Sequence, residues 1–357
     1  MTENRKMIVN RIPSPTWNWL KMNEARTSEV TVLAEITPSV QLPEGMSGYM
    51  ASASRLPRVQ TGLGYDIDRV FELEELGSRL ITVPEGDSFD QPARIDMNLN
   101  EGSAGAGQLE VHLAHDSEAT VILNLCANRD KKGDVVVQIK YDIGKRARLK
   151  LITVQSVGPA MRVFLDLGGR LADAAHFDLV QVILGGRSYY GNYSDLRGEN
   201  SGIQADIAYL VGRDESLDMN YVAYHTGRKT DTLMNVSGVL EDNARKNFRG
   251  TIDFRRGAKD ATGNEMEEVL LMSDDVINQT IPVILCEEED VEGNHGASIG
   301  KLDENLLFYM QSRGLSLEEI YRMMSRAKIE AVSGKIEDEK TRNYILDILD
   351  QREKAAE

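Results

Sequence analysis

The sequence predicts a mainly β chain, with a mixed, partly helical N-terminal region and a helical C-terminal tail. Three observations carry that reading. Short runs that alternate apolar and polar residues recur through the middle of the chain. Gly, Asn and Asp separate them, with no helical periodicity in between. The last sixty or so residues change to amphipathic helical spacing with recognisable caps.

The N-terminal region, 1–85, holds both tryptophans, Trp17 and Trp19, in "IPSPTWNWL". Ser14 or Thr16 is placed to cap a helix there, and Leu20 to extend its apolar face. "TGLGYDIDRVFELEELGSRL" reads as a loop followed by a short segment of open type.

The core, 86–290, contains "QLEVHL" (108–113), "ATVILNL" (119–125), "DVVVQIKYDI" (134–143), "ARLKLITVQS" (147–156) and "MRVFLDL" (161–167). "FDLVQVIL" (177–184) and "IQADIAYLVG" (203–212) continue the series. Short strands with tight turns allow a sandwich, a barrel or a β-helix. No rigid internal repeat stands out, but a solenoid needs only inward apolar residues in each coil.

In the C-terminal region, 291–357, Asp303 caps "ENLLFYMQSR" and Gly314 stops it, with Leu302 and Leu307 at staple positions. Ser316 and Glu319 form a capping box for the next helix. Its expected apolar face is Leu317, Ile320, Met324, Ala327 and Ala331. A last helix, about Asp338 to Ala355, is expected to bury Tyr344, Ile345, Ile348 and Leu349. Packing on the sheet edge is the simplest use of these helices, and docking a partner the functional one.

Composition narrows the function. At 357 residues, 41% of them hydrophobic, the chain can bury a sizeable core. A net charge of -16 argues against nucleic acid or an anionic membrane as partner. Two cysteines, Cys126 and Cys286, do not make a disulfide framework, so a reducing cytoplasm is the expected location. The N-terminus has no long apolar leader, and no run approaches the ~20 residues of a membrane span.

The motif search is mostly negative. No GxxxxGK[ST] loop occurs, so ATP hydrolysis by this chain is not expected. "GLG" (62–64) and "LGG" (184–186) are turn signals, and no CxxC exists. His112, His115, His176 and His225 read as structural residues. Cys126 reads as core, and Cys286, at the end of "TIPVILC", as buried and inert. His295, in "EEEDVEGNHGASIG", reads as a loop residue that can ligate iron or move a proton. On these residues alone the default reading is a solvated loop histidine.

"LDMNYVAYHTGRKTDTLMNVSGVLEDNARKNFRGTIDF" and "LCEEEDVEGNHGASIGKLDENLLFYMQSRGLSLEEI" closely resemble the SufB/SufD family of iron–sulfur cluster assembly scaffolds, on its SufD side. "HGASIGKLDENLLFYMQSRG" is the most specific part, and the likeness extends loosely over the whole chain. The resemblance implies a right-handed parallel β-helix between end domains. It implies a non-catalytic scaffold in a cytoplasmic complex with SufB and the ABC-type ATPase SufC, with no permanently bound cofactor. Iron or a cluster would be carried transiently. His295 matches the functional histidine near the SufB–SufD interface. The family docks SufC on its C-terminal helices, here with Leu306, Leu307, Phe308, Tyr309, Arg313 and Ile320 as candidates. Some members carry a cysteine two residues before the histidine, where this chain has Gly293. Thiolates are then expected from the partner. A homodimeric SufB-like scaffold, a homodimer in isolation and a β-helix carbohydrate-active enzyme are the alternatives. No residue pattern selects a cluster type or a site for FAD.

Overall fold

The computed structural model describes residues 6–99 and 104–356. The first five residues of the N-terminal stretch read for a leader lie outside them. Five short strands come first: β1 (Ile8–Val9), β2 (Ala25–Arg26), β3 (Ala34–Glu35), β4 (Ser39–Gln41) and β5 (Ser47–Ala51). Helix α1 (Tyr65–Leu73) follows. Then come β6 (Ser78–Val83), β7 (Ala93–Asn98), β8 (Gly105–Leu113), β9 (Glu118–Cys126), β10 (Gly133–Ile143), β11 (Arg148–Ser156), β12 (Met161–Leu171) and β13 (His176–Leu184). The series continues through β14 (Arg187–Leu196), β15 (Gly202–Val211), β16 (Ser216–His225), β17 (Asp231–Leu240), β18 (Arg245–Phe254), β19 (Ala261–Leu271), β20 (Ile277–Cys286) and β21 (Val291–Gly300). Helices α2 (Glu304–Ser312), α3 (Leu317–Ser333) and α4 (Glu339–Ala356) end it.

From β6 onward, even and odd strands separate into two sheets. One runs β20-β18-β16-β14-β12-β10-β8-β6-β5, the other β21-β19-β17-β15-β13-β11-β9-β7-β4. Along both, each strand lies parallel to the one a coil earlier; only β4 with β7 and β5 with β6 are antiparallel. This is a parallel β-solenoid, which selects among the three all-β architectures left open above. Its lumen is an apolar core running from Ile81 and Ile95 to Phe254 and Val269.

Most strands are buried on both faces, which explains their nearly continuous apolar runs. In "DVVVQIKYDI", Val135, Val137, Ile139 and Tyr141 fill the lumen. Val136 points outward and packs with Ile67, Val70 and Phe71 of α1. The outer face of the odd sheet is covered instead by α3 and α4. There Ile329, Val332, Ile345 and Leu349 meet Ile152, Val182 and Ala208.

Several expectations change. Helices α3 and α4 lie flat on a sheet face and do not cap the edge, because the odd strands present a second apolar surface there. The buried side of α3 is Ile320, Ser325, Ile329 and Val332; Ala327 and Ala331 are exposed. No helix starts at Ser14 or Thr16. The Asn23 side chain accepts from the Thr16 backbone N–H at 2.7 Å and folds the segment back. Only a 3₁₀ turn, Asn18–Leu20, forms before Lys21 takes a left-handed conformation, and both tryptophans are exposed. β6 lies within the region assigned to the N-terminal domain yet belongs to the even sheet. β21 lies beyond residue 290 and belongs to the odd sheet.

Candidate functional site

His295 is not on a loop. It is the middle of β21, which pairs with β19 along one edge and is the last strand of its sheet. The register sets His295 beside Glu265, Gly293 beside Gly263 and Val291 beside Ala261. On β19 the inward residues are Ala261, Gly263, Glu265, Glu267 and Val269, all buried, while Asn264, Met266 and Glu268 face out. In-register neighbours on parallel strands share a face. His295 therefore lies on the lumen side of the solenoid, together with Gly293, Ala297 and Ile299. It is exposed because β21 is the final strand of the odd sheet, with no further coil over it.

The facing strand, β20, ends the even sheet in the same way. Its pairing with β18 sets Cys286 beside Phe254, Ile284 beside Ile252 and Thr280 beside Phe248. Phe248, Ile252 and Phe254 belong to the lumen core. Cys286 thus faces the lumen side as period-two counting expects, but it is exposed rather than buried. Its Sγ donates to the Glu288 carbonyl at 2.9 Å. Cys286 is exposed because β20 is the terminal strand of its sheet, so its inward face has nothing above it. The rim of the open coil therefore offers an imidazole from one sheet and a thiol from the other. Sequence reasoning missed the thiol because nothing in "TIPVILC" marks the strand as the last of its sheet.

Gly293 occupies the same face as His295. A Cβ built there would lie 3.0 Å from the Phe254 ring and 3.2 Å from Ile284. A cysteine at this position would project onto the rim beside the histidine, and this chain gives up that thiol. Among the described residues no three His, Cys, Asp or Glu side chains are grouped to hold a metal.

Below the rim lies a charged cluster inside the lumen. The Lys246 ammonium, with a fully buried side chain, is ion-paired with Glu267. It also donates to Asn278 at 3.0 Å and Thr280 at 2.8 Å. Thr280 in turn donates to the second Glu267 oxygen at 2.7 Å. Burial, and then the charge of Glu267, push the Glu265 carboxyl up to about 7. Neither sheet's alternation betrays this cluster, since Lys246, Glu265 and Glu267 sit where apolar residues are expected.

Three other histidines make contacts within the fold. His225 is buried between Thr230 Oγ1 at 2.7 Å and Thr232 Oγ1 at 2.8 Å, and its ring packs on Phe254. His115 accepts from the Lys145 N–H at 3.1 Å, and His112 contacts Glu110 at 3.4 Å. Cys126 is half-buried, and burial raises its thiol above the ordinary range.

The second feature is α2. Asp303 caps it, accepting from Asn305 and Leu306 N–H groups. It buries none of its residues. Leu306, Phe308 and Tyr309 are 39%, 75% and 55% exposed, and Arg313 stacks on Tyr309. Leu307 is half-buried. Ile320 does not join them: it lies on α3 and is fully buried, so it offers no surface contact.

The fold and site together define a parallel β-solenoid protein whose candidate site is an uncovered terminal coil, not an enclosed pocket. A family model described as "SUF system FeS cluster assembly, SufBD core domain" matches residues 97–349, and the chain belongs to that family. It is similar to the iron–sulfur cluster assembly protein SufD of Escherichia coli K12, 25% identical over 279 residues, covering 76% of this chain and 66% of the relative. The SufD protein of Bacillus subtilis 168 is 27% identical over 288 residues, covering 78% and 64%. A SufBD family protein of Mycobacterium leprae is 21% identical over 258 residues, covering 71% and 30%. The chain thus spans just under two thirds of the length of the two SufD relatives. It is a SufD-like member of the SUF iron–sulfur assembly system. No helix among the described residues is long and apolar enough to cross a membrane.

Proposed function

We propose that this chain is the SufD-like subunit of a scaffold that pairs with a SufB-like protein and receives a SufC ATPase. Nascent clusters would form at the SufB-facing end. The observation that carries the reading is the uncovered coil with His295 on its lumen face. β20 and β21 each leave one edge of backbone N–H and C=O groups without a strand partner. Such edges are templates for another chain. Pro282 on β20 lacks an N–H, so β21 is the better template. Half-exposed apolar residues at this end, Ile277 and Ile299 at 40% and 43%, would be covered by the partner. His295 would then be one iron ligand at the junction, with thiolates supplied from the partner, a ligand set suited to iron. Iron and sulfide are the cargo of this scaffold. The same edge would serve a second copy of this chain when no SufB-like partner is present.

SufC docks on α2 in this reading, where Leu306, Phe308 and Tyr309 form an unburied apolar surface flanked by Arg313. A cytoplasmic setting fits an exposed, reduced Cys286. Co-purification of the tagged chain with SufB and SufC homologues from the same source tests both contacts. Phe308→Asp should release SufC and leave SufB bound, because Phe308 touches no core. SufC retention by this variant would remove α2 from the docking surface.

A further inference from the structure

The hairpin of β1 and β2 lies across the outer face of the even sheet, where Val9 and Ala25 pack with Val136 and Phe164. It runs toward the open coil, and its anchors give the direction. Arg162 of β12 donates to Ser28 Oγ and to the Glu29 carbonyl, both at 2.5 Å. Asn10 is held by Asp218 of β16, and the Met22 carbonyl by Arg249 of β18. The sheet order is β12-β14-β16-β18-β20, so each anchor lies nearer the open end, and past Met22 only β20 remains. The hairpin closes between Ile12 and Asn23, and its tip carries Trp17 and Trp19. They are 73% and 75% exposed, and the chain has no other tryptophan. Paired bare indoles at the end of an anchored hairpin mark a contact surface.

The outer face of β20 is apolar where its neighbours are polar. In register, Asn220 of β16, Arg249 of β18 and Ile281 of β20 form one row. Asn220 and Arg249 both donate to carbonyls of the hairpin, those of Arg11 and Met22. Ile281 offers no such bond. With Val283 and Leu285 it makes a half-buried apolar strip, and Ile277 on the same face is more exposed still.

A second copy pairing with β21 would bring tip and strip together. A two-fold axis through that edge makes the new pair antiparallel and continues each sheet into its counterpart, so β20 is followed by the β20 of the copy. Mid-strand then faces mid-strand. The hairpin crosses at the row of Ile281, the fifth of ten residues in β20, so its tip points at the same row of the copy. We infer that the hairpin tip clamps a second copy of this chain, with Trp17 and Trp19 packed on Ile281 and Val283 of the copy's β20. Symmetry makes the contact twice. Two ten-residue edges by themselves make a narrow interface. Four covered indoles add roughly 600–1,000 Å², which brings the dimer into the ~1,200–2,000 Å² range of stable association. The inference rests on the open coil being a pairing edge, as proposed above.

The test is sedimentation equilibrium of the full chain with tryptophan emission read in parallel, because both indoles lie in the tip. The wild type should dimerise, and its emission should shift to the blue as concentration rises through the dimer Kd. The double variant Trp17→Ser/Trp19→Ser should raise that Kd at least about tenfold, the scale for losing aromatic anchors. It should keep the wild-type unfolding midpoint, since neither indole is packed in the fold. Ile299→Asp, on the rim of β21, should weaken the same dimer through the edge. If Ile299→Asp weakens a dimer whose emission never shifts and whose Kd the tryptophan variant leaves unchanged, the clamp is overturned and the pairing edge stands. If the chain stays monomeric, or forms a dimer that Ile299→Asp leaves unaffected, the clamp is overturned together with the edge as a self-pairing surface. A shift seen only with the SufB-like partner or with lipid vesicles would give the tip to that occupant and overturn the inference.

Discussion

At the residue scale, buried charge decides where this molecule is sensitive. Arg249 is fully buried and bonds Asp218 Oδ1 at 2.7 Å and the Met22 carbonyl at 2.6 Å. Asn10 donates to the same Asp218 oxygen at 2.7 Å, so this group pins the N-terminal segment to the even sheet. Arg249→Ala should cost about 3–5 kcal/mol in urea unfolding, because Asp218 is left without its cation. His225 and Glu265 act on pH stability in opposite senses. Burial holds His225 near 3, against 6.5 when free. Between those values the unfolded chain takes up a proton that the folded chain refuses, so its contribution is full above 6.5 and is lost as pH falls. Glu265 is raised from 4.5 to about 7, so it favours the fold at low pH and disfavours it as pH rises through that window. Glu265→Gln should flatten the alkaline side of a stability–pH profile, with a gain on the order of 2–3 kcal/mol at pH 8 and little at pH 4. His225→Gln should flatten the acid side. The sequence shows both residue types but not their burial. Glu265 sits on a strand whose alternation reads Glu, Met, Glu, Glu, with nothing to say which face is inward.

At the element scale, the strands were legible and their repeat was not. Every quoted run became a strand within a few residues of its expected ends, because apolar alternation is a local signal. The coil period is not fixed. Gly133 pairs with Met161, 28 residues on, Arg162 with Arg187, 25 on, and Asp231 with Thr262, 31 on. What repeats is backbone geometry at one corner. Asp116, Arg146, Ala174, Asn200, Lys229 and Asp260 all adopt positive φ. The N–H of each donates to a carbonyl in the next coil, such as Arg146 to Asp173 at 2.9 Å and Ala174 to Glu199 at 2.8 Å. Because the corner asks for a conformation and not a side chain, six residues of five types fill it. Ala174→Val should cost about 1–2 kcal/mol in thermal or urea unfolding, and Ala174→Gly should be neutral or stabilising. The tail helices were legible at their starts: Ser316 and Glu319 complete the capping box. Ser316→Ala should lose about 1 kcal/mol. The buried face of α3 was misread because the helix packs on a sheet face, with Ser325 and Ser333 admitted to the contact.

At the scale of the whole molecule, the two ends of the solenoid differ, and that asymmetry was not visible in the sequence. The first coil is closed by antiparallel β4 and β5. The last coil leaves β20 and β21 bare, carrying Cys286 and His295 on their lumen faces. The "HGASIG" motif singles out His295 as the candidate, and only the strand register shows that it lies on the rim of a lumen. The most direct measurement is cluster loading of this chain co-expressed with the SufB-like and SufC partners proposed above, by iron and sulfide content and visible absorbance. His295→Ala should leave the complex assembled and reduce its cluster content at least about tenfold, the scale for losing a metal ligand or its support. An intact complex with wild-type cluster content in the variant would contradict the assignment of His295.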